Sequence, residues 1–266
     1  MSRLEPKIFG AALAWGALAW TSALPARAVD HDNVDAGRPL DFDDAETIAF
    51  REKAFEFGGA LFKPQTGKTG LGGGAEFLYG FAKNWHLNAG FDPQFGSNGR
   101  SRRRLDLGDL GLTVQHNFNR ETESSPAFGF RADANLPTGR GSRGVDGRLR
   151  GIVSRKFGAY GRLHLNADLG LNSRSQTGQR KTLPGVLLGY SVPLDFPRRF
   201  NRTLVSQIGY RANPQRGEGA LLNVGVGLRQ QINPRSVFDI GIKSDLAGSG
   251  QARERIRLVA GYATAF

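Results

Sequence analysis

From Ala54 onward, hydrophobic and polar residues alternate in short runs. In 161–173, GRLHLNADLGLNS, one set of alternate positions holds Leu163, Leu165, Ala167, Leu169 and Leu171. The other holds Arg162, His164, Asn166, Asp168, Gly170 and Asn172. Phe128, Phe130, Ala132, Ala134 and Leu136 oppose Gly129, Arg131, Asp133 and Asn135 in the same way. A period of two with one apolar face marks a strand lying between two different surroundings. Twelve such segments are read: 54–63, 73–82, 85–95, 105–118, 127–136, 148–157, 161–173, 185–194, 203–212, 220–231, 237–246 and 253–266. Glycine blurs the first, and the phase of 105–118 changes near Asp109. Each run is long enough to cross a bilayer as a tilted strand of about 9–11 residues.

The last run, QARERIRLVAGYATAF, puts Ile256, Leu258, Ala260, Tyr262, Thr264 and Phe266 on one face. Arg253, Arg255 and Arg257 fall on the other, which must meet water or a polar lumen. A last strand ending in Phe266 resembles the signal by which the barrel-assembly machinery recognises outer-membrane barrels. The connections are asymmetric. AKN, GAYG and NPRS are tight, RETESSP and DFPRRFN are intermediate, and the rest, such as GSNGRSRRR and TGRGSRGVDG, are long and polar. Short turns at one end and long loops at the other are the outer-membrane pattern. The expected fold is all-β, a transmembrane antiparallel up-and-down β-barrel of about 12 strands. An exported β-sandwich is the structural alternative, but aromatic residues such as Phe81, Trp85, Phe118, Phe128 and Phe157 gather at strand ends, as interface girdles do.

Composition refines this picture. Arg3 and Lys7 precede an apolar run from Ile8 to Leu24, and Ala26-Arg27-Ala28 offers a cleavage site before Val29. Residues 1–28 are read as a secretory signal peptide. Cysteine is absent, so disulfides play no part. Mean hydropathy is −0.37, too polar for helical membrane spans but compatible with alternating strands. The leader carries Arg3, Lys7 and Arg27 against Glu5, which leaves +10 of the formal +12 on the exported chain. Export, with no zinc spacing and no basic helical stripe, excludes nucleic acid as the partner. Residues 29–53 are acidic and aperiodic: either a periplasmic tail or a plug folded back into the lumen. The barrel is placed at 54–266.

The stretches DDAETIAFREKAFEFGGALF (43–62), LDLGDLGLTVQHNF (105–118) and ADANLPTG (132–139) resemble the outer-membrane transporter family named for the MetA pathway of phenol degradation. The resemblance implies a barrel of about twelve strands in the cell outer membrane and passage of small, aromatic solutes. It transfers no binding residue.

Catalysis is not expected. An outer-membrane phospholipase needs a lipid-facing His and Ser two residues apart, and none of His31, His86, His116 and His164 has a serine at that spacing. GKT at 67–69 lacks the first glycine of a phosphate loop, and no cluster has metal spacing, so no cofactor is expected. The lumen face carries eleven bases against eight acids. They are read either as cross-strand ion pairs filling the lumen or as an anion-favouring constriction. Arg131, Arg148, Arg150, Arg162, Arg253, Arg255 and Arg257 are the constriction candidates. Arg102, Arg103 and Arg104, in an outer loop, are candidates for phosphates of outer-membrane lipid and lipopolysaccharide. The expected function is a channel passing small, aromatic or anionic solutes. The alternative is a closed structural or glycolipid-binding barrel with a plugged lumen.

Overall fold

The computed structural model describes residues 38–96, 104–139, 142–175, 177–250 and 252–266. The signal peptide and Arg102 and Arg103 lie outside them, as does the side chain of Arg104.

The described residues form fourteen strands in one antiparallel sheet, which closes through β1–β14 and β1–β2 pairing. They are β1 (Lys53–Pro64), β2 (Gly70–Ala82), β3 (Trp85–Phe91), β4 (Gln94–Gly96), β5 (Arg104–Asp106), β6 (Leu110–Asn117) and β7 (Ala127–Leu136). Then come β8 (Asp146–Phe157), β9 (Gly161–Asn172), β10 (Thr182–Pro193), β11 (Arg202–Arg211), β12 (Leu221–Asn233), β13 (Ser236–Ala247) and β14 (Glu254–Ala265). They make twelve staves, because β4 continues β3 along β2 and β5 continues β6. The first break is at Asp92-Pro93, where proline cannot donate to the ladder. The second is at Leu107–Asp109, where Gly108 takes a φ of +77°, and this accounts for the phase change read there.

The polarity is inverted relative to a water-soluble protein. On β9, Leu165, Leu169 and Leu171 are exposed while His164 and Asn166 are fully buried. The same holds on β13, with Ile240 and Ile242 outside and Asp239 inside. Strands of 12 residues at about 3.3 Å rise and roughly 40° tilt stand about 30 Å tall, matching a bilayer's hydrocarbon core. Aromatic side chains ring one end: Trp85 stacks on His116 at 4.1 Å, His116 meets Phe118 edge-on at 4.8 Å, and Tyr160 packs on Phe196 at 4.5 Å. This is also the end of the tight turns at Lys83-Asn84 and Asn233–Ser236, and the place where the Phe266 amide bonds the Lys53 carbonyl. Closure pairs the first stave with the last, so neither presents an open edge to lipid.

Inside the barrel lie residues 38–52, a strap that follows the wall rather than crossing the lumen. Its residues meet the staves in circular order. Arg38 lies beside Gly58 (β1) and Gly261 (β14), Pro39 beside Gly241 and Gly227, and Leu40 beside Gly225. Asp41 reaches Gln207 on β11, Phe42 covers Gly189 on β10, and Asp43 bonds Asn166 on β9. Ala45 meets Ser154 on β8 and Gly129 on β7, Ile48 meets His86 on β3, and Ala49 covers Gly80 on β2. Twelve staves about 4.8 Å apart and tilted ~40° close at a backbone radius of roughly 12 Å. A hoop some 5 Å inside that wall is about 44 Å around, against at most ~40 Å for twelve extended residues. The strap therefore makes almost a full turn, and only where the wall is thin. A Cβ on Gly80 would overlap the Ala49 carbonyl oxygen, and one on Gly189 would lie 2.5 Å from the Phe42 ring.

Candidate functional site

Three small apolar clusters seat the strap, each joining it to lumen-facing residues that break the polar pattern. Leu40 and Phe42 pack on Leu187 and Val205, Ala45 on Ala127 and Ile152, and Ile48 on Ala54 and Leu78. Polar bonds alternate with them. The Ala45 amide donates to Ser154 Oγ at 2.9 Å and Asn117 Nδ2 donates to the Ala45 carbonyl at 2.8 Å. Gln115 Nε2 donates to the Glu46 carbonyl at 3.0 Å. Arg38 forms an ion pair with Glu56, and Lys243 with Asp41. Burial opposes ionisation of Asp41, but the Lys243 charge and hydrogen bond outweigh it and hold the carboxyl pKa at about 2.

Asp43 is the strap's most firmly held residue. It is fully buried, its amide donates to Asn166 Oδ1 at 2.7 Å, and Asn166 Nδ2 donates to its carbonyl at 2.9 Å. Its two carboxylate oxygens take one arginine each: Arg131 Nη1 at 3.0 Å on Oδ1 and Arg150 Nη1 at 2.5 Å on Oδ2. Those arginines stand directly opposite one another on β7 and β8.

Above the strap is a cavity of about 450 Å³. Six bases (Arg38, Arg148, Arg150, Arg211, Lys243, Arg257) and six acids (Asp41, Glu76, Asp92, Asp168, Asp245, Glu254) line it, with the bare backbone of Gly58, Gly59 and Gly72–Gly74 forming one wall. A second cavity of about 300 Å³, around Thr113, Arg131 and Asp133, shares Glu76, Asp92 and Arg148 with the first. The charges that line the larger cavity are balanced, six against six. Cross-strand pairs in direct register account for several: Arg148 Nε lies 2.7 Å from Asp133 and Arg150 Nε 2.6 Å from Asp168, and elsewhere in the lumen Arg229 Nε lies 2.9 Å from Asp239. Glu76 and Asp92 form no ion pair among the described residues.

The seven lumen candidates thus have different fates. Arg148 and Arg257 line the larger cavity; Arg257 holds Glu254 at 2.6 Å and lies over the Phe62 ring at 4.8 Å. Arg131 and Arg150 grip Asp43 while reaching the cavities. Arg162 is a strap anchor instead, bonding Glu46 at 3.0 Å and Glu121 at 3.4 Å. Arg253 and Arg255 do not line the cavity. The β1–β14 register slips between Lys63 and Pro64, so that Glu254 rather than Arg255 faces inward. Arg255 is exposed at that bulge, and Arg253 caps the carbonyls of Asp245, Leu246 and Gly248 at the rim. A bulge is one extra residue that strict alternation cannot register. Asp41 and Asp43 are legible in the sequence only as tail charge. The signal for them is the pair of apolar residues alternating with them, Leu40 and Phe42, together with Leu187, Val205 and Ile152 on an otherwise polar face.

A closed antiparallel barrel of twelve staves, polar within and apolar without, is a transmembrane barrel of the outer-membrane type. Among solved structures the chain is similar to the COG4313 outer membrane channel from Pseudomonas putida F1, with 17% identity over 88% of this chain and 100% of that one, at a TM-score of 0.67. It is also similar to the NanC porin, with 8% identity over 79% of this chain and 98% of that one, at a TM-score of 0.58. At these identities the likeness is one of fold. No family model and no curated protein matches the sequence.

Proposed function

We propose that the chain is an outer-membrane channel for small polar solutes, with residues 38–52 setting the width of its throat. The observation that carries this reading is the two adjoining polar cavities above the strap, which share Glu76, Asp92 and Arg148 and are walled largely by charged side chains and bare glycine backbone. Balanced lining predicts weak ion selectivity in the resting channel. The motif resemblance adds small aromatic solutes to the candidate cargo. The same reading makes residues 1–28 an export signal, Phe266 a mark for the assembly machinery, and the 102–104 arginines lipopolysaccharide contacts.

A second reading, a closed barrel with a structural or surface-binding role, is favoured by the full seating of Asp43. Single-channel recording decides between them. Residues 29–266, refolded into a planar bilayer, should give discrete current steps with a reversal potential near zero in a KCl gradient. Arg148→Ser/Arg257→Ser should then turn the channel cation-selective. Silence from a barrel with full β-sheet circular dichroism would favour the closed reading.

A further inference from the structure

We propose that Arg131 and Arg150 form a binding site for small carboxylates, which Asp43 occupies in the resting protein and a carboxylate solute competes for. Two arginines directly opposite on neighbouring strands repel unless an anion lies between them. Here the shared anion is a carboxylate presented one oxygen to each guanidinium, at 3.0 Å and 2.5 Å. Each is a charge-assisted hydrogen bond, shorter and stronger than one between neutral groups. The carboxylate is not part of the wall. It belongs to the strap, whose polar bonds to Ser154, Gln115, Asn117 and Asn166 are all of a kind water can replace.

Each arginine also lines a cavity, Arg150 the larger and Arg131 the smaller; both are buried while Asp43 is seated, so a solute in the vestibule reaches the pair without crossing the wall once the strap shifts. Among the paired groups, Arg131, Arg148 and Arg150 against Asp133 and Asp168 leave one positive charge at the pair when Asp43 withdraws, while Glu76 and Asp92 line the same smaller cavity. That charge would hold a monocarboxylate. While Asp43 is tethered it competes at an effective concentration of roughly millimolar or above. Apparent affinity is then low and exchange fast, as a passage site needs.

This inference rests on solutes entering the lumen, so the test carries a readout independent of current. Benzoate is titrated against the chloride current of the native channel and of Asp43→Ala, with benzamide as the uncharged control. Binding is measured in parallel by calorimetry on detergent-solubilised protein. Losing a competing charge-assisted contact should lower the half-blocking benzoate concentration about ten-fold or more in Asp43→Ala. Benzamide should do nothing, and Arg131→Gln on the same background should abolish the gain. A double variant, Arg150→Gln/Asp168→Asn, removes the second arginine without leaving its carboxylate alone, and should also abolish it. Equal block of both channels, or equal action of benzamide, overturns the site. If neither protein conducts but benzoate binds Asp43→Ala in an Arg131-dependent manner, the channel reading falls and the site stands. Absence of that binding removes the site whatever the current.

Discussion

Gly189 illustrates how single residues on the lumen face are chosen by the strap. A Cβ there would lie 2.5 Å from the Phe42 ring, which is fully buried and has no free direction to move. Gly189→Val should therefore displace Phe42 at an overpacking cost of about 1–3 kcal/mol, borne by strap docking and not by the barrel ladder. The expected outcome is a larger single-channel conductance together with new cleavage after Glu46 by a Glu-specific protease. Gly151→Val is the matched control. Gly151 points outward, with nothing within 4 Å of its Cβ position, so conductance and cleavage should stay unchanged. A similar response in the two variants would count against the strap as the determinant. Residues of this kind are half legible in the sequence. Alternation puts His86 and His164 on the polar face and His116 near a strand end, and they lie there. The glycines read only as turn formers and crowded strand faces, because a sequence does not say what approaches a bare backbone.

At the level of elements, regular alternation is enough to place the strands, since a period of two follows directly from side chains alternating across a sheet. The exceptions have local causes. GLGGG in β2 has no alternating hydrophobicity, yet Phe62–Lys53 of β1 pair along it from Gly70 to Tyr79. The Arg253, Arg255 and Arg257 series fails as a face because of the bulge beside Pro64. The strap is harder, because among the described residues only Arg51 and Glu52 bond a strand backbone, at Gly80, and its other bonds to the wall are to side chains from many staves. It is nonetheless a testable element. A Cβ placed on the Gly129 backbone would lie 3.4 Å from Ala45 Cβ, close to disulfide spacing. The chain has no cysteine of its own, so Ala45→Cys/Gly129→Cys gives one unambiguous cross-link. If the strap moves during conduction, oxidation should suppress benzoate exchange and large-conductance steps, and reduction should restore them. Identical traces in both states would mean that the strap is a fixed part of the wall.

For the molecule as a whole, the inverted polarity explains how a barrel stays open enough to hold solute. Lipid takes the apolar residues, so the interior need not be filled by a hydrophobic core, and charge pairs at 2.6–2.9 Å hold it instead. Such pairs are costly to break one side at a time, because the remaining buried charge is left without compensation. Net selectivity must therefore come from charges outside the pairs. Among the described cavity-lining residues Glu76 and Asp92 are such charges: they sit together on the β2–β3 wall, while Arg211, across the lumen, holds Asp245 only at 3.5 Å. A solute in the vestibule thus meets an acidic wall facing a basic one. Neutralising the acidic wall alone should convert a weakly selective channel into an anion-selective one. Glu76→Gln/Asp92→Asn keeps shape and hydrogen bonding while removing two negative charges, so its reversal potential in a KCl gradient should move toward the chloride equilibrium value. Raising the ionic strength should reduce the shift, since the Debye length falls from about 10 Å at 0.1 M to about 3 Å at 1 M. A reversal potential unmoved at low salt would place the selectivity-determining charges elsewhere, and would make the paired arginines around Asp43 the next to be changed.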